Sequence, residues 1–192
     1  MKKTLMMLSC GAFVLYACSN ANTNQKKGET QQPVVQDAVA RGKYLVNVMG
    51  CSDCHSPKML TPQGPVPDTA RLLSGHPATE VLPPYDANTA KAYVLFNMGG
   101  TAVKGPWGTS FAANLTPDDT GIGHWSEEQF IKALKQGKWK GMDNGRLLLP
   151  PMPWQGYTQM PDEDAKAIFA YLKQLKPVNN VVPAALPPVA AR

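Results

Sequence analysis

A chain of 192 residues, 43% of them hydrophobic, fits one ordinary domain and demands no second. Its formal charge of +5, from 19 basic against 14 acidic residues, is too small to point to nucleic acid. The first element is "MKKTLMMLSCGAFVLYACSN", where Lys2 and Lys3 precede an uncharged apolar run from Leu5 to Ala17. That run is too short for a settled membrane span and has the shape of an export signal. It ends in "LYAC", which resembles the bacterial lipoprotein cleavage box, so Cys18 is expected to become the lipid-bearing first residue of the mature chain. Cys10 is the poorer choice, because cutting there leaves too short an apolar segment, and an ordinary signal peptide cleaved nearby is the alternative. Removing residues 1–17 takes off Lys2 and Lys3 and no acid, leaving +3.

Residues 18–36 are rich in Asn, Gln, Thr and Ser without hydrophobic period, the composition of a flexible tether. A globular part is expected over 37–178. Its first helix lies in "DAVARGKYLVNVMG", with Ala38, Tyr44, Leu45, Val48 and Met49 near helical spacing and Gly50 as the stop. A weaker helix is predicted from Asn88 to Met98. "SEEQFIKALKQGK" opens with a capping box of Ser126 and Gln129, shows Phe130, Ile131 and Leu134 on one face, and stops at Gly137. "PDEDAKAIFAYLKQLKP" opens on Pro161 and three acids, presents Ala167, Ile168, Tyr171, Leu172 and Leu175 inward, and ends before Pro177. No strand pattern is convincing, so the predicted class is all-α. Residues 179–192 read as a Pro-rich extended tail.

The first helix leads into "GCSDCHSP", two thiols and an imidazole from Cys51 to His55. Three chemistries use that grouping: a zinc half-site, a thiol redox pair, or covalent attachment of a c-type haem. Zinc wants a second Cys or His pair, and none follows; His76 and His124 are isolated. A redox pair wants a strand before the motif and a helix after it, whereas here a helix leads in and a Pro-rich loop leads out. Haem attachment remains, with Cys51 and Cys54 adding to the vinyl groups and His55 delivered to the iron. Export agrees, since reduced thiols outside the cytoplasm would otherwise oxidise. One copy of the motif means one haem c.

The sixth iron ligand is sought among Met59, Met98, Met142, Met152 and Met160. Met98 closes an apolar run and Met160 sits where a hydrophobic staple belongs, so both read as packing. Met152 stands in "LLLPPMPWQGY", held extended by Pro150, Pro151 and Pro153, with Trp154 and Tyr157 available beside the porphyrin. It is the chosen ligand; Met142, His76 and His124 are the alternatives. As side chains in their own right, His76 and His124 read as surface or capping imidazoles.

These residues together resemble a single-haem class I cytochrome c, of the bacterial type that includes haem subunits of periplasmic dehydrogenases. The likeness rests on "ARGKYLVNVMGCSDCHSP", "LSGHP", "FAANLTPDDTGIGHWSEEQFIKALKQGK" and "LLLPPMPWQGYTQMPDEDAKAIFAYLKQLKPVNNVVP". It implies that fold, with helices and long Gly/Pro-rich loops around one covalent haem, and His55 and Met152 as axial ligands. It also implies a carbonyl acceptor for the His55 ring nitrogen, for which Pro62, Pro65 and Pro67 are candidates. The segment from about Lys58 to Gly105 departs from the family pattern. Electron transfer between a dehydrogenase and a respiratory acceptor is then the expected function, with no catalytic residue, on the periplasmic side of a membrane held by lipidated Cys18. The rivals are a haem enzyme or sensor with an open sixth site, acting on peroxide or a small gas, and a fixed haem subunit. Lys132, Lys135, Lys138 and Lys140 cluster as a candidate docking patch, or simply as a solvated face.

Overall fold

In the computed structural model, residues 34–188 are described; the leader, Cys18, the tether up to residue 33 and the last four residues of the tail lie outside them. The frame is helical. Helix α1 (Val34–Val48) crosses α5 (Asp162–Leu172), bringing the two ends of the domain together. Gly42 sits at the crossing, where a Cβ would fall 1.9 Å from the Ala167 carbonyl oxygen, so only hydrogen fits between the two backbones. Arg41 clamps the same crossing with paired 2.9 Å bonds to the Asp164 carboxylate. The face that α1 buries is Gly42, Leu45 and Val46; Tyr44 and Val48, which belong to the apolar pattern of the sequence, are exposed.

Helix α4 (Glu127–Gln136) packs on α5 and follows the predicted pattern closely. The Ser126 hydroxyl accepts from the Gln129 amide, the Gln129 side chain accepts from the Ser126 amide, and Gly137 ends the helix in the left-handed region at φ 65°. Phe130 and Leu134 face inward with Ala133. Leu45, Val46, Leu73, Ile122, Phe130, Leu134, Ala165, Ile168 and Leu172 form the core.

The class is not plainly all-α. Two small antiparallel sheets occupy the segment between the cysteine motif and residue 111, where the sequence shows no strand pattern. Strands β1 (Lys58–Thr61) and β2 (Gly64–Pro67) make a hairpin, while β3 (Leu95–Phe96), β4 (Ala102–Gly105) and β5 (Gly108–Phe111) make a second sheet in that order. The predicted helix from Asn88 to Met98 shrinks to α3 (Thr89–Ala92), and the chain then enters β3. Asp86 caps α3 through the Thr89 amide and hydroxyl, but β-branched and aromatic residues follow, and their fit to a pleated surface wins. Met98 is 78% exposed rather than packed.

The chain beyond α5 is bonded to the domain. Asn180 donates to the Ser74 and His76 carbonyls and accepts from the Ala78 amide, and Leu186 pairs with Thr109 through two 2.9 Å backbone bonds. No helix among the described residues is long and apolar enough to cross a membrane.

Candidate functional site

The site begins where α1 stops. Gly50 adopts φ 65°, turning the chain from α1 directly into the short helix α2 (Cys51–His55). Three-residue spacing puts Cys51 and Cys54 on one side of that turn. Both thiols are free and half-buried. Burial pushes the Cys51 thiol up to about 11 and raises Cys54 as well, so both are un-ionised at neutral pH. A reactive redox pair needs the opposite, a thiol lowered toward neutrality.

His55 is held at two points. Its carbonyl accepts from the Gly75 amide at 2.7 Å, and its ring Nδ1 lies 2.8 Å from the Ala113 carbonyl oxygen. A carbonyl can only accept, so Nδ1 carries the proton and Nε2 keeps its lone pair. Burial lowers the imidazole's pKa, outweighing the bond to Ala113, and favours this neutral form. The acceptor is therefore Ala113, just past β5, and not Pro62, Pro65 or Pro67. Nothing in the sequence near residue 113 marks a bare carbonyl as functional; it comes into place because Gly75 lets the backbone at 112–114 approach within contact. Among the described residues no three His, Cys, Asp or Glu side chains gather as a metal site of their own.

Met152 lies half-buried on a loop that packs against the same core as Cys51 and Tyr157. The Ser110 hydroxyl at the end of β5 donates to the Pro150 carbonyl at 2.6 Å, pinning that loop to the second sheet. Tyr157 stands near both thiols: burial raises its phenol pKa, and so do Cys51 and Cys54. Trp154 instead packs its ring on Gly137, where a Cβ would come within 2.3 Å of it. Of the other methionines, Met59 and Met142 are exposed with Met98, and Met160 is half-buried against the core at the mouth of α5.

The two isolated histidines differ. His124 is on the surface with Asp119 at 2.9 Å. His76 is wholly buried, contrary to the surface reading, with Nδ1 2.9 Å from the Thr101 hydroxyl and its ring 4.8 Å from that of Phe111. It joins the second sheet to the chain that holds His55. In the lysine cluster, Lys132 pairs with Asp143 at 2.8 Å and Lys135 with Asp162, which leaves Lys138 and Lys140 as its less compensated charges.

No family model matches the chain. Among curated proteins it is 30% identical over 172 residues to the gluconate 2-dehydrogenase cytochrome c subunit of Pantoea cypripedii, covering 89% of this chain and 28% of that protein. The chain is related to the cytochrome subunits of dehydrogenases. It is also 40% identical over 90 residues to the fructose dehydrogenase cytochrome subunit of Gluconobacter japonicus, covering 46% of this chain and 18% of that one. The cytochrome c subunit of the quinone-dependent alcohol dehydrogenase of Gluconobacter oxydans is 28% identical over 142 residues, 73% of this chain and 22% of the relative. The chain thus spans less than a third of the length of each of these cytochrome relatives.

Proposed function

We propose that the domain is an electron carrier with one covalent haem c, in a class I cytochrome c fold, attached through Cys51 and Cys54 and ligated by His55 and Met152. The observation that carries the reading is the geometry of the motif: two free thiols on one turn, followed by an imidazole whose Nδ1–H is committed to Ala113 and whose Nε2 keeps its lone pair. When bound, the haem supplies one-electron cycling between ferric and ferrous iron, with thioether ligation favouring the reduced state. The protein's part is to hold and orient. Ala113 fixes the His55 tautomer, Gly75 fixes its backbone, and the Ser110 bond to Pro150 steadies the loop bearing Met152. Tyr157 and the core beneath Cys51 and Met152 supply apolar surroundings. Such a role needs no group that makes or breaks a substrate bond.

The relatives are subunits of dehydrogenases, which supports a dehydrogenase as electron donor, with a respiratory acceptor downstream. Export and anchoring at Cys18, on the periplasmic side, rest on the leader's sequence. The test is an optical spectrum of the exported protein. A haem c signature with the weak sulfur-to-ferric charge-transfer band, lost in Met152→Ala, is the expected result. A high-spin ferric spectrum in the native protein would overturn Met152 and favour an open sixth site. For the anchor, Cys18→Ser should release the exported protein from membranes; retention there would exclude lipidation as the tether.

A further inference from the structure

Lys58 begins β1, one turn beyond the cysteine motif, yet its side chain folds back onto that motif. Its Nζ donates to three main-chain carbonyls, Ser52 at 3.0 Å, Asp53 at 2.9 Å and Ser56 at 2.6 Å. An ammonium has three N–H donors, so all are used. These carbonyls lie on both sides of His55. The Ser52 oxygen also accepts from the Ser56 amide at 3.2 Å, closing the turn that carries the imidazole. A cation at the C-terminal end of a helix is favourably placed toward its free carbonyls. The half-buried ammonium is partly dehydrated, and burial lowers its pKa while Asp53 and Cys54 pull it back up. The hairpin fixes the backbone of Lys58, which is paired with Pro67 of β2.

We propose that Lys58 is a positioning residue for the haem site: its ammonium locks the peptide planes around His55 and places one fixed positive charge beside the motif, favouring the reduced iron. The inference rests on haem attachment at Cys51 and Cys54, but not on the identity of the sixth ligand. A positive charge close to a centre that gains an electron stabilises the reduced form, and partial burial weakens the solvent screening of that effect. The hairpin β1–β2 thereby acquires a role in the site, which its exposed outer residues Met59 and Leu60 do not reveal.

The experiment compares the haem-loaded full chain with Lys58→Met and Lys58→Arg. A pyridine haemochrome assay on the wild type first tests haem attachment itself; a negative result there overturns that reading and this proposal with it. With haem present, midpoint potentials read the effect of Lys58. Lys58→Met is expected to lower the ferrous-to-ferric ratio at fixed solution potential by roughly three- to tenfold, tenfold being about 59 mV for a one-electron couple. Lys58→Arg, which keeps the charge, should restore more than half of that shift. An unchanged midpoint in Lys58→Met, or an equal fall in both variants, overturns the charge role. Should Lys58→Met take up little haem, the yield of Lys58→Arg decides: recovery toward wild type supports the cationic clamp, and equal failure rejects it.

Discussion

The helical frame and the segment from Lys58 to Phe111 follow different rules. In the frame, α1, α4 and α5 each bury one face, and a close backbone crossing at Gly42 leaves no slack. In the segment, strands of two to four residues expose Leu60, Val66 and Phe96, and order comes from buried polar links such as His76 to Thr101. The frame is held by apolar area, while the segment is held by a few specific bonds, two of which reach the candidate site: Lys58 to the motif and Ser110 to the Met152 loop. A change of equal size should therefore cost very different amounts in the two regions.

The largest effect is expected from Gly42→Val. Its side chain would drive into the Ala167 carbonyl, at a cost of about 3 kcal/mol or more. Denaturant unfolding gives the value, and a loss under 1 kcal/mol, taken as roughly the lower end of overpacking costs, would mean that the crossing can spread. Thr101→Val comes next, because it leaves the buried Nδ1 of His76 unpaired, for about 1–3 kcal/mol.

His76 also gives the segment a pH signature. Burial lowers its pKa below 6.5, and Glu80, at 3.9 Å, offsets this only in part. The unfolded chain takes up the proton first as pH falls, so the neutral ring's contribution is complete above about pH 6.5 and drains away as pH drops from there through the folded-state pKa. His76→Phe should flatten that acid-side slope in the denaturation midpoint, and an identical slope would move the acid sensitivity to other groups.

Ser126→Ala removes half of a capping box and should cost about 1 kcal/mol. Leu60→Ser, on a side chain that is 75% exposed, should stay within about 0.5 kcal/mol of wild type. A larger loss would show that the hairpin's outer face is covered in solution. The smallest effect separates the lysines. Reversing Lys138 and Lys140 should weaken the salt dependence of electron transfer more than reversing Lys132 and Lys135, whose charges are already met by Asp143 and Asp162.

The sequence revealed features whose cause is local. The capping box at Ser126 and Gln129, the left-handed stop at Gly137 and the helix leading into Cys51 each depend on neighbours a few residues away, and all were legible. The hidden features have partners far along the chain. Ala113 serves His55 across 58 residues, His76 meets Thr101 across 25, and no period or motif announces either pairing. The α1 face differs from its sequence pattern for a related reason. Gly42 looks like a helix weakener until α5 is laid against it, and that contact rotates the buried stripe onto Leu45 and Val46. The strands stayed hidden because two to four residues, interrupted by Pro and Gly, are too few to display alternation.

The pairing of α1 with α5 also sets an order of assembly. Arg41 finds Asp164 123 residues later, so a chain delivered N-terminus first cannot seat its first helix until nearly all of it has arrived. Throughout that interval the core against which Cys51 packs lacks the residues that α5 contributes. The closing helix then works as a latch, the last of the helices to bring its side chains, Ala165, Ile168 and Leu172, to that core.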